Sequence, residues 1–154
     1  MRRRITVVVL VAGLVALAGA GCGDDEGGGE ASKPRVEVPD GAPPSELQIE
    51  DIKKGTGAEA VAGKTLSVHY VGVSWSDKKQ FDASWDTPGG PQPFPFKLGT
   101  GAVIQGWDQG LVGMKVGGRR QLIIPPGMAY KEFGQGPIKP NETLVFVVDL
   151  LGVT

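Results

Sequence analysis

Few residues of this chain are equipped to make or break a covalent bond. His69 is the single histidine and Cys22 the single cysteine of 154 residues, so a Ser–His–Asp or Cys–His arrangement would have to use one of them. His69 falls inside the alternating run 66–73, where a histidine bonded to its neighbours is the ordinary outcome. Cys22 lies at the end of an N-terminal apolar run, far from it in sequence. No His/Cys cluster has zinc-ligand spacing, and neither a metal nor a cofactor is expected. Asp82 and Asp86 are four apart in a stretch of strand or loop, a weak basis for paired-carboxylate chemistry. Gly55-Thr56-Gly57 and Gly99-Thr100-Gly101 lack the third glycine and following lysine of a phosphate loop and read as turns.

Rings near loops are what the chain does supply: Tyr70, Phe81, Phe94, Phe96, Trp107, Tyr130 and Phe146, with one acid, Asp82, directly after Phe81. Phe96 is read as core. The others fit a concave site of aromatic walls with few polar groups, the usual form of a small apolar ligand pocket.

These rings need elements to hold them. Val103-Ile104-Gln105-Gly106-Trp107-Asp108-Gln109-Gly110-Leu111 places Ile104, Trp107 and Leu111 at i, i+3 and i+7, on one helical face. Gly106 and Gly110 each cost roughly 0.8–1 kcal/mol relative to alanine in a helix, so packing must hold this helix. Around it the chain reads as strands at 47–52, 66–73, 94–98, 119–125 and 142–151, with 80–85 after a polar turn as strand or loop. In the second strand Leu66, Val68 and Tyr70 face one way and His69 and Val71 the other. Pro95 confines its strand to an edge or to its non-bonding side. Many strands and one helix, without strand–helix alternation, give an α+β antiparallel sheet with the helix in its concavity. The loop 128–140 carries Tyr130 and Phe133 among Gly134, Gly136, Pro137 and Pro140, and its rings are expected to line or cover something.

The N-terminal region reads as targeting sequence. Arg2, Arg3 and Arg4 precede an apolar run from Ile5 to Ala20, shorter than the roughly 20 residues of a spanning helix. A signal peptide over 1–21 is therefore expected. Gly19-Ala20-Gly21-Cys22 resembles a bacterial lipoprotein processing box, which would make Cys22 the lipidated N-terminus. An exported chain with one cysteine has no internal disulfide to make. Residues 22–44, acidic and glycine-rich and then proline-containing, read as a disordered tether, and 45–154 as one domain with a single core. Loss of Arg2, Arg3 and Arg4 leaves 13 of the 16 basic residues against 17 acids, a net charge near −4. With no basic cluster, nucleic acid is not an expected partner.

Seven segments then occur in one order: Val68-His69-Tyr70, Phe81-Asp82-Ala83-Ser84, Val103-Ile104-Gln105-Gly106-Trp107, Gly113-Met114-Lys115-Val116-Gly117, Ile124-Pro125-Pro126, Ala129-Tyr130 and Thr143-Leu144-Val145-Phe146. Together they closely resemble the FKBP family of peptidyl-prolyl cis-trans isomerases, over about 47–153. The resemblance implies a strongly curved antiparallel sheet of five to six strands wrapped around one short helix, and a shallow aromatic pocket. Trp107 would be the pocket floor and Tyr70, Phe81, Phe94 and Phe146 its walls. Val103 and Ile104 would form a rim, with the Ile104 N–H holding a substrate carbonyl. Tyr130 would offer its hydroxyl to the peptide, and Asp82 would be the polar group near the twisting amide. Ile138 matches the family's flap aliphatic, with Phe133 a competitor for that place. Thr87 stands where some members carry an arginine that neutralises the acid.

The function so implied is isomerisation of Xaa-Pro bonds in exported or envelope proteins by a monomer that is either anchored through its lipid to the outer face of the bacterial cytoplasmic membrane or secreted. Pro-containing polypeptides would be the substrates and macrolides candidate inhibitors. The alternative is a non-catalytic, chaperone-like module that binds Pro-containing or unfolded segments.

Overall fold

A computed structural model describes residues 32–154. The expected signal peptide and Cys22 lie outside the described residues, as does the first part of the expected tether. Among the described residues six strands and one α-helix follow in the order β1 (Gln48–Lys53), β2 (Thr65–Ser74), β3 (Gln80–Ala83), β4 (Phe94–Lys97), α1 (Gln105–Gly110), β5 (Arg119–Ile124) and β6 (Leu144–Val153). All pairings between these strands are antiparallel, in the order β1-β5-β6-β2-β3, with β4 also on β2. This is the expected α+β architecture. Pro95 sits in β4, an edge strand paired with β2, where a missing N–H is tolerated.

The ten-residue strands β2 and β6 form the centre of the sheet, paired from Leu66↔Val153 to Ser74↔Leu144. Leu66, Val68, Leu122, Ile124, Leu144, Phe146 and Val148 share a core with Trp107 and Leu111 of the helix segment. Each fully buried aliphatic side chain contributes about 1.5–3 kcal/mol. The two helix glycines are explained by this packing. A Cβ on Gly106 would lie 2.4 Å from the Ile124 side chain, and one on Gly110 would lie 2.7 Å from that of Leu122. The six-residue helix is thus pressed onto β5 too closely for any side chain between them.

Both ends of the helix are held by charged groups. Asp108 accepts hydrogen bonds from the Gly99 and Gly101 N–H groups at 2.8 and 2.9 Å, which folds the preceding turn back on α1. Those glycines have φ of +77° and +73°, a region that disfavours other residues. At the other end Arg120, 8% exposed, donates to the carbonyls of Gly110 and Val112 at 2.9 and 3.1 Å. Its remaining donors reach Asp51 of β1 at 2.6 and 3.3 Å. A cation on the last carbonyls of a helix is the favourable polarity.

The segment 32–44, expected to belong to a disordered tether, lies along the domain instead. Pro34 is buried, and Val36 and Val38 are half-buried against a second small cluster of Val71, Val73 and Ala83. This cluster occupies the convex face of the sheet. Charged and small residues dominate 22–44 and conceal the contact, but three apolar positions at period two are enough to seat an extended segment.

Candidate active site

The candidate site begins with an irregularity in β3. Val73 pairs with Gln80 and Gly72 with Asp82, so Phe81 is an extra residue opposite no partner. Simple alternation would put Phe81 and Asp82 on opposite faces. The bulge re-aims them, and both line one cavity with Tyr70 of β2. Gly72 supplies the room: a Cβ there would lie 2.5 Å from the Phe81 ring and 2.7 Å from the Phe146 ring.

The cavity, about 290 Å³, is lined by Tyr70, Phe81, Asp82, Phe94, Ala102, Val103, Ile104, Trp107, Tyr130 and Phe146. Trp107 is its most enclosed ring, 4% exposed, so it is at once core and cavity lining. Tyr70 and Phe146 meet it edge-on with centroids 5.2 Å away, and Phe94 does so at 6.2 Å. Phe81 stands edge-on to Phe146 at 5.5 Å. Edge-to-face contacts of this kind fix ring orientation beyond what area burial does, each contributing about 0.5–1.5 kcal/mol. The Trp107 indole N–H is buried and has no hydrogen-bond partner among the described residues. Ile104 caps α1 with its carbonyl, which accepts from the N–H groups of Trp107 and Asp108.

Polar groups at the cavity are few. The Tyr70 hydroxyl donates to Asp82 Oδ2 at 2.7 Å. Burial, and then that hydrogen bond, pushes the Tyr70 phenol well above its ordinary value. The Tyr130 phenol is raised too, first by burial and then by the nearby Asp82 charge. Both hydroxyls therefore stay protonated through neutral pH and remain donors. Thr87 directs its hydroxyl to the Gly90 and Ser84 carbonyls, and Asp82 is answered by Tyr70.

Of the ten residues expected at the pocket, nine line the cavity and Ile138 does not. Ile138 is buried at 7% exposure in the main core, where a bridge between Gln135 and Ile138 turns the loop inward. Phe133, its competitor, is 78% exposed. Phe96 packs as core against Trp107 at 5.5 Å. His69 is likewise structural: its Nδ1 is 2.9 Å from the Ser84 hydroxyl, and its ring stacks on Trp85 at 4.3 Å. Ala102 lines the cavity without having been expected there, since a small residue beside Val103 carries no signal of its own.

Comparison with known proteins identifies the family and the fold. The family model for FKBP-type peptidyl-prolyl cis-trans isomerases matches residues 57–151. An FK506-binding protein of Streptomyces anulatus is 55% identical over 123 residues, covering 79% of this chain and 97% of the relative. The crystal structure of AtFKBP13 superposes with a TM-score of 0.64 at 38% identity, covering 73% of this chain and 96% of that one. A peptidyl-prolyl cis-trans isomerase from Pseudomonas syringae pv. tomato gives 0.61 at 35% identity, covering 70% and 75%. The chain belongs to the FKBP-type peptidyl-prolyl cis-trans isomerases.

Proposed function

We propose that the aromatic cavity over Trp107 is where this isomerase binds a prolyl segment and lets its peptide bond rotate. The observation that carries this reading is a concavity of about 290 Å³, walled by rings, whose polar side chains are limited to Tyr70, Asp82 and Tyr130.

The chemistry needs little more. C–N resonance sets the rotational barrier at about 18–20 kcal/mol, and uncatalysed prolyl isomerisation takes tens to hundreds of seconds. The planar amide separates more charge than the twisted one, so water favours the ground state. A ring-lined pocket that strips this water removes that preference and favours the twisted form. No bond is broken, so the reaction requires no nucleophile. In this reading Trp107 is the floor under the prolyl ring, with Tyr70, Phe81, Phe94 and Phe146 as walls and Val103 and Ile104 as rim. The Ile104 N–H orients a substrate carbonyl, the Tyr130 hydroxyl bonds the peptide, and Asp82 holds Tyr70 and presents its charge beside the rotating amide. Macrolides would compete for the same pocket, as the name of the Streptomyces relative suggests for that protein.

The setting we propose is extracytoplasmic: signal peptide 1–21 removed, Cys22 lipidated, and the monomeric domain held at the outer face of the cytoplasmic membrane to act on exported proteins. The basic, apolar and small-residue order before Cys22 supports this.

A cis/trans relaxation assay on short Xaa-Pro peptides tests the activity. Acceleration at micromolar protein is expected. Peptide binding without acceleration would replace the proposal with the chaperone-like reading.

A further inference from the structure

We propose that the segment Ser32–Gly41 is a positioning strap, with Val36 and Val38 as its seat, that holds the bulged strand β3 and so fixes Phe81 and Asp82 in the cavity; this rests on the reading of that cavity as the prolyl site. The strap precedes the family-matched region 57–151.

β3 is four residues long, lies at the sheet edge and has one neighbour strand, β2. The extra residue Phe81 interrupts even that pairing. A short edge strand with a bulge has few ladder bonds of its own, and its local opening free energy is correspondingly low. The two residues most dependent on its position are neighbours in the cavity lining, Phe81 and Asp82.

The strap meets this weak point from behind. Val36 and Val38 pack on Val71, Val73 and Ala83, the convex side of the same β2–β3 hairpin. Val71 and Ala83 are paired directly across the two strands, so the valines cover the pairing that follows the bulge. Asp86, just past β3, accepts from Gln80 Nε2 at the start of β3 at 2.7 Å, and Lys33 of the strap joins the same carboxylate oxygen. The bulge is thus bracketed by one carboxylate that the strap also holds. Both strap ends are tied down. Arg119 donates to the Ser32 carbonyl at 2.8 Å. At the hairpin tip Asp40 pairs with Lys78, and the Trp75 indole donates to the Gly41 carbonyl at 3.3 Å. Pro34 and Pro39 keep the segment extended and unable to extend a ladder, so it grips by side chains.

The test uses the full chain with Val36→Asp and Val38→Asp together, which unseats the strap without shortening it, beside the conservative pair Val36→Ile and Val38→Ile. For the Asp pair, kcat/KM for an Xaa-Pro peptide should fall about tenfold, because the Phe81 wall and the Asp82 charge are displaced together. Amide exchange at Phe81, Asp82 and Ala83 should quicken about tenfold or more, with Leu122 and Phe146 unchanged. The Ile pair should keep wild-type values. A kcat/KM within about twofold of wild type, or exchange that quickens equally in β3, β5 and β6, would overturn the strap's positioning role. The exchange readout decides the strap even where the peptide assay returns no turnover, so failure of the active-site reading and failure of the strap are told apart.

Discussion

Two tryptophans on opposite faces of one sheet show how differently this chain uses the same residue. Trp107, on the concave side, is nearly sealed and surrounded by the rings of Tyr70, Phe94, Phe96 and Phe146. Trp85, on the convex side, is half-buried, stacked on His69, and packed with the Val71, Val73 and Ala83 cluster. Both bury an indole N–H that has no partner among the described residues, an arrangement that costs about 1–3 kcal/mol in a protein interior. On the concave side that cost is borne inside a cavity. On the convex side it is borne beside a segment laid over the surface. One face opens at a ring-lined cavity, and the other is covered by the chain itself.

The sharpest way to break this contrast is to remove each ring. Trp107→Ala should lower stability by about 3–5 kcal/mol, the cost of emptying a large buried site, and abolish most peptide affinity. Trp85→Ala should cost about 1 kcal/mol, the usual effect of a partly exposed position, with a far smaller change in affinity. Urea unfolding and a peptide titration read both, and equal losses of affinity would show that the concave ring has no special role.

A smaller effect separates the helix support from the cavity. Asp51 is held below the ordinary carboxylate range, first by the hydrogen bond from Arg120. Because the folded value is the lower one, its contribution is complete above the unfolded value near pH 4 and is lost as pH falls through the folded value. Solvent reaches this carboxylate and screens the pair, so Asp51→Asn should cost only about 1 kcal/mol at pH 7. The gap from wild type should close as pH falls through the lowered folded value. Urea midpoints across neutral to acid pH check this, and a gap that stayed constant would place the loss in packing instead of charge.

The helix and the central strand were legible in sequence for a physical reason, whereas the roles of the other rings followed from the family resemblance. Periodicity reports which side of an element is apolar, so Ile104, Trp107 and Leu111 and the alternation of β2 could be read directly. The glycines at 106 and 110 announce a close approach, although their partners, Ile124 and Leu122, emerge only in the folded chain. The bulge was not legible, because nothing at Phe81 marks a residue that opposes no partner. Long-range pairs are equally silent: Arg120 meets Asp51 across 69 positions, and Arg119 meets Asp149 across 30. Ile138 matches the flap by motif, but the turn around Gln135 sends its side chain into the core. The strap is hidden by composition, since charged residues and prolines outnumber the few that touch the sheet.

If substrate meets the concave cavity, the most direct test is titration of the ¹⁵N-labelled protein with a short Xaa-Pro peptide, followed residue by residue. Saturable shifts are expected at the Ile104 amide, the Trp107 indole N–H and the Tyr70, Phe81 and Asp82 amides, with Val36, Val38 and Trp85 nearly still. Shifts concentrated on the convex face, or absent from Trp107 and Ile104 at saturating peptide, would contradict it.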